Sequence, residues 1–230
     1  MLDVASFDAM TFDCYGTLID WETGIVEAVQ PVLRAHDVSI DDDSLLELYA
    51  ELESGAQQGE FRPYREILGS VMDGFGARLG FAPTGAERDV IAASVADWAP
   101  FDDTTEALGV LGRHCRLAIL SNIDDDLIAG SLAQLGVEFA AVVTAEQVKS
   151  YKPRRAHFDE GLRRLGLDRS QALHVAQSRY HDIAPAGELG FATVWVNRQA
   201  GRHGATTPSV ARPDLEVPSL GALARLAERQ

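Results

Sequence analysis

Residues 9–18 read AMTFDCYGTL, a short apolar run closed by an acid and a glycine turn. Such a run predicts a strand that ends at Phe12 and delivers Asp13 into the loop beyond it. Standing alone, an aspartate there would read as a turn or helix-capping residue. It does not stand alone, because the same signature recurs along the chain: RLAIL before Ser121, ALHVA before Gln177 and ATVWV before Asn197. A further strand-like segment, AAVVTAEQVKS, precedes Lys152 and Pro153. Helical spacing fills the intervals Thr104 to Arg113, Asp125 to Leu135 and Arg155 to Leu165. Alternating strand and helix imply an α/β chain with a parallel sheet covered on both faces. Ligands of such sheets sit beyond the carboxyl ends of the strands, where Asp13, Ser121, Asn122 and Gln177 all fall.

From about Trp21 to Trp98 the pattern changes to helical segments only (TGIVEAVQPVLRAH, SLLELYAELE, YREILGSVMDGFGARLG, ERDVIAASVADW). This reads as an all-helical insertion, residues 21–98, in a core made of residues 1–20 and 99–230. Placed directly after the first strand's loop, it can close over the sheet edge and exclude water. Gly201 to Pro218, with three prolines, reads as a surface loop before a last helix, SLGALARLAER.

The 230 residues are 46% hydrophobic and 24% charged, enough to bury a sizeable core. No stretch reaches the roughly 20 apolar residues of a membrane span, and no secretory leader is evident, so a cytoplasmic protein is expected. Cys14 and Cys115 form no CxxC pair, in keeping with a reducing compartment. A net charge of −15 repels phosphate backbones and anionic membranes, which argues against nucleic-acid or membrane partners. Solubility or a salt-adapted source explains the acidity. Asp41, Asp42 and Asp43 precede a helical run, where capping and the helix dipole account for acids.

Four places together, Asp13 in DCYGTLID, Ser121-Asn122, Lys152-Pro153 and Asp182, resemble the four motifs of the haloacid dehalogenase-like hydrolases. The resemblance covers nearly the whole chain and implies a doubly wound, Rossmannoid core with a helical cap. DCYGTLID, the YKP tripeptide at residues 151–153 and the helical cap look most like the 2-haloacid dehalogenase branch. It implies Asp13 as nucleophile, Lys152 as its partner, and Thr17, Ser121 and Asn122 as a polar cradle for substrate or nucleophile. Related phosphatases carry a second acid two residues after the nucleophile, where Tyr15 stands here, and open their fourth motif with Gly-Asp, where Ala176-Gln177 stands. Magnesium wants several oxygen ligands, so the expectation is a reaction with no metal and no cofactor. The expected substrate is a small 2-haloalkanoate, fluoroacetate included, and family members suggest a homodimer. Rival readings are a magnesium-dependent phosphatase, hydrolysis of a small strained ring, and a catalytically silent binding protein.

The sequence also departs from the branch. The cap arginine that binds the substrate anion corresponds to Leu45, leaving Arg62, Arg65 and Arg179 as candidate replacements. Phe158 stands six positions after the lysine, where a tyrosine is usual. The Ser-Ser-Asn cluster before the last aspartate is Gln177-Ser178-Arg179. His181, able to titrate near neutrality, and Gln177 are candidates to handle the hydrolytic water. Trp21 is a candidate pocket wall, and Trp195 and Cys14 are expected in the core.

Overall fold

The computed structural model describes residues 2–198 and 204–229. Six strands form one fully parallel sheet: β1 (Ala9–Phe12), β2 (Arg116–Ser121), β3 (Ala141–Thr144), β4 (Ala172–Ala176), β5 (Ala192–Val196) and β6 (Leu215–Val217). Their order is β3-β2-β1-β4-β5-β6. The central strands β1 and β4 are buried at every position, because helices cover both faces. This explains why the sequence shows apolar runs there rather than alternation. The order reverses between β1 and β4, which pair in register from Ala9 with Ala172 to Phe12 with Val175. The crevice outside such a switch point is where open α/β sheets bind ligands.

Five α-helices fall within residues 21–94, after the β1 loop, with no strand among them: α1 (Trp21–Ala35), α2 (Asp42–Ala56), α3 (Tyr64–Leu79), α4 (Gly85–Arg88) and α5 (Val90–Ser94). Their apolar stripes, including Ile25, Val29 and Leu33 on α1 and Ile67, Val71 and Phe75 on α3, pack into one core. Asp41 caps α2 through the Ser44 amide, as expected of an acid before a helical run. The core helices follow: α6 (Thr104–Leu111), α7 (Asp125–Leu135), α8 (Ala145–Val148), α9 (Ala156–Leu165), α10 (Ala184–Glu188) and α11 (Leu220–Ala227). None is long and apolar enough to cross a membrane.

Two sequence expectations change. The tail is more than a loop, because Leu215–Val217 adds β6 to the sheet edge beside β5. Three residues bracketed by prolines carry no readable period. Gly201 to His203 of that segment lie outside the described residues. Trp195 is not core packing: it is only partly buried, its Nε1 donates to the Gln177 carbonyl at 2.8 Å, and the Arg179 guanidinium stacks on its ring.

The cap is fastened over the sheet by an unusual helix cap. α3 begins after Pro63, which has no side-chain acceptor for the helix's free amides. Asp124, in the loop after β2, supplies it, accepting from Tyr64 N at 2.8 Å and Arg65 N at 2.9 Å. The Tyr151 hydroxyl adds a bond to the Arg62 carbonyl. Asp124→Ala is expected to cost about 1 kcal/mol of stability and to raise protease sensitivity between α2 and α3, measurable by thermal melts and limited proteolysis.

Candidate active site

The loop after β1 turns sharply at Gly16, whose φ of +89° belongs to the left-handed region that glycine enters without strain. A Cβ there would stand 3.0 Å from the Trp21 indole nitrogen. The turn folds Thr17 back onto the strand end, where its hydroxyl donates to Asp13 Oδ2 at 2.8 Å. The same hydroxyl accepts from the Gln177 amide at 2.8 Å, tying the β1 and β4 loops together.

Lys152 reaches in from the loop before α9 and is 1% exposed. Its ammonium donates to Asp13 Oδ1 at 2.9 Å, Asp182 Oδ1 at 2.6 Å and the Leu120 carbonyl at 2.7 Å, using all three protons. Burial disfavours its charge, but the two carboxylates outweigh burial and raise its pKa. Asn122 holds the Lys152 backbone from both sides: its Oδ1 accepts from Lys152 N at 2.7 Å and its Nδ2 donates to Lys152 O at 3.1 Å. Its side chain therefore positions the lysine.

The two carboxylates are held differently. Burial raises the Asp13 carboxyl, Lys152 pulls it back, and the nearby Asp182 charge pushes it up again, leaving it above its ordinary value. Burial also opposes ionisation of Asp182, but Lys152 and the hydrogen-bonded His174 outweigh it and hold the carboxyl at about 2. His174 Nε2 lies 3.0 Å from Asp182 Oδ1 and its Nδ1 lies 2.8 Å from the Thr11 hydroxyl. Asp182 Oδ2 and Ser121 Oγ, both buried, have no hydrogen-bond partner among the described residues.

A cavity of about 50 Å³ opens onto these groups. Asp13, Tyr15, Ser121, Asn122, Lys152, Ser178, His181 and Asp182 line it from the core, and Trp21, Glu53 and Tyr64 from the cap. Thr17 is wholly buried and donates to the Asp13 carboxylate. Gln177 and Arg179 face larger neighbouring clefts instead. His181 lines the cavity, but burial pushes its pKa down to about 4, so it is neutral at pH 7, contrary to the expected titration near neutrality.

None of the replacement arginines reaches this cavity. Arg62 donates to Ser70 Oγ and the Ala56 carbonyl, Arg65 pairs with Asp126, and Arg179 stacks on Trp195. Leu45 is fully buried in the cap, and Phe158 packs edge-on against His174, away from the cavity. Sequence reading missed His174 and Glu53. Both had a signal: a polar residue inside an apolar strand, and an acid four residues after Tyr49 on the stripe that buries Leu45 and Tyr49.

These residues do not fit a magnesium site. One oxygen of Asp13 and one of Asp182 are committed to the Lys152 ammonium, Asp13 Oδ2 takes the Thr17 hydroxyl, and Tyr15 fills the position of a second acid. Among the described residues no three His, Cys, Asp or Glu side chains cluster to hold a metal.

A lysine-clamped carboxylate at the switch point of a doubly wound sheet, roofed by an inserted helical bundle, defines a capped α/β hydrolase. The chain belongs to the haloacid dehalogenase-like hydrolase family, whose model matches residues 7–190. It is 31% identical to an (S)-2-haloacid dehalogenase of Pseudomonas sp. (strain YL) over 65% of this chain and 64% of the relative. It is 24% identical to (S)-2-haloacid dehalogenase 1 of Pseudomonas sp. (strain CBS-3), over 83% and 84%. Among solved structures, the L-2-haloacid dehalogenase from Xanthobacter autotrophicus superposes with a TM-score of 0.81 at 21% identity, covering 96% and 98% of the two chains.

Proposed function

We propose that this chain hydrolyses the carbon–halogen bond of a small 2-haloalkanoic acid, without a metal, through an ester on Asp13. The observation that carries the reading is the arrangement around Asp13: a buried carboxylate clamped by Lys152 and Thr17, with Tyr15 where a second acid would stand. A halide leaves as an anion and needs no such acid, whereas an alkoxide leaving group does. The names of the relatives support the same chemistry, and a 50 Å³ cavity suits substrates of two or three carbons.

In the first step a carboxylate oxygen of Asp13 forms a bond to C2 of the substrate. The carbon–halogen bond breaks on the opposite side and its electron pair leaves with the halide. In the second step water adds to the Asp13 ester carbonyl, the ester bond breaks so that the alcohol oxygen leaves with one of the water's protons on a 2-hydroxy acid, and the other proton is released to solvent as the carboxylate is restored. Lys152 keeps Asp13 ionised before attack and steadies the oxyanion formed when water adds. Ser121 Oγ is the free donor for the substrate carboxylate, and Asp182 Oδ2 is the free acceptor for the water. Thr17→Val removes one hydrogen bond to the nucleophile and the acceptor of the Gln177 amide; steady-state halide release is expected to fall by about 10²-fold.

The test is halide release from chloroacetate, fluoroacetate and both 2-chloropropionate enantiomers in chelator-treated buffer, comparing the wild type with Asp13→Asn. Release that disappears in the variant supports the reading. No halide release, with magnesium-dependent hydrolysis of a phosphate ester instead, overturns it.

A further inference from the structure

The roof of the Asp13 cavity carries an acid rather than a cation. Glu53 on α2 is 6% exposed and lines the cavity together with Tyr64 and Trp21. Its Oε1 accepts from the Tyr64 hydroxyl at 2.6 Å and from Gln57 Nε2 at 3.0 Å. Tyr49 and Tyr64 hydroxyls lie 3.2 Å apart, and since Tyr64 gives its proton to Glu53, Tyr49 donates to Tyr64. Two donors converge on Oε1, and no described residue donates to Oε2. A proton on this carboxyl therefore resides on Oε2, the oxygen left for whatever enters the cavity.

We propose that Glu53, protonated on Oε2, is a catalytic residue that receives the departing halide by hydrogen bonding it. This rests on the dehalogenase reading given above. Attack by Asp13 from the floor sends the leaving group to the opposite side of the carbon, which is the roof. Among the described residues the only cation lining the cavity, Lys152, is on the floor with all its protons engaged. A halide at the roof meets Glu53. The Asp13–carbon bond forms, the carbon–halogen bond breaks, the electron pair goes to the halide, and the Glu53 proton stays on Oε2 as the donor of the new hydrogen bond. Fluoride, the strongest acceptor among the halides, gains most from it.

The titratable groups around Glu53 are Tyr49 on its own helix, Tyr64 on α3, Tyr151 in the core loop, and Asp13, Tyr15, Lys152, His181 and Asp182 across the cavity. Burial raises the Glu53 carboxyl to about 7, and the Tyr64 hydrogen bond tempers the rise. The donor form is thus present below pH 7 and lost above it. His181, at about 4, titrates well outside this window.

The test is bromide binding to the full chain between pH 6 and 8.5, followed by saturable quenching of tryptophan fluorescence, since Trp21 lines the cavity edge-on to Tyr49. In the wild type the bromide Kd should rise about tenfold for each pH unit above 7. In Glu53→Gln, whose amide donates at every pH, the Kd should not vary with pH, and the fall in halide release above pH 7 should disappear. Tyr64→Phe should move the wild-type limb to higher pH. A wild-type Kd constant across the range, a limb retained in Glu53→Gln, or no saturable binding overturns the assignment. Bromide binding with the expected limb but no halide release from any substrate refutes the dehalogenase reading and leaves the halide site standing. Halide release alongside pH-independent binding does the reverse.

Discussion

Asp13→Asn is expected to fold as the wild type does and to lose halide release by at least about 10⁴-fold, the scale seen when a covalent nucleophile is removed. The amide is nearly the same size as the carboxylate, and its oxygen still accepts from Lys152, so the packing of the β1 loop is kept. What disappears is the anionic oxygen that the proposed mechanism uses to attack carbon. The variant also leaves Lys152 with one carboxylate instead of two, but Asp182, with its shorter 2.6 Å bond, remains to pair it. Halide release and thermal melts on the same preparations separate loss of chemistry from loss of fold. Acid-quenched wild type held with substrate should show by mass spectrometry one substrate unit attached to the peptide bearing Asp13, and Asp13→Asn should not.

Lys152→Met should be the most disruptive single substitution in the site. It removes a buried cation from between two buried carboxylates, and breaking such a pair from one side costs about 3–5 kcal/mol. For a chain of this size that corresponds to a fall in Tm of roughly 10 °C. Activity should vanish for a separate reason. With Lys152 gone, burial and the Asp182 charge both push the Asp13 carboxyl further up, so the nucleophile is protonated over more of the neutral range. The proposed attack needs Asp13 ionised, so any residual activity should rise at higher pH than in the wild type. Lys152→Met combined with Asp182→Asn should melt above the single lysine variant, because the added change removes an uncompensated charge. The wild type carries a related pH signature. Asp182, held at about 2, contributes roughly 2 kcal/mol of stability above pH 4, which is lost as pH falls through 2.

The strands and most helices were legible because each is written locally. ALHVA and ATVWV coincide with β4 and β5, and Asp125 to Leu135 coincides with α7. The strip Leu215–Val217 was not, because a three-residue edge strand is decided by the neighbour it pairs with. The candidate site was partly legible. Asp13, Lys152 and Asp182, read from separate motifs, are paired in the structure, and Ser121 lies at their cavity. The roles of the neighbours were not readable. Asn122 spends its side chain on the lysine backbone, Thr17 on the Asp13 carboxylate, and Arg179 turns outward onto Trp195. A residue's place in the chain fixes which loop it joins, while rotamer and packing fix which way it points.

By itself the sequence determined the parallel sheet, the helical insertion and the strand ends that carry the candidate site residues, because hydrophobic period and turn chemistry act over a few neighbours. Only the tertiary structure decided what shares the Asp13 cavity. It brought Glu53 and Tyr64 down from the cap, left every candidate arginine outside, and desolvated the His181 ring enough to lower its pKa. Those outcomes depend on burial and on contacts between residues far apart in the chain, and no local pattern records either.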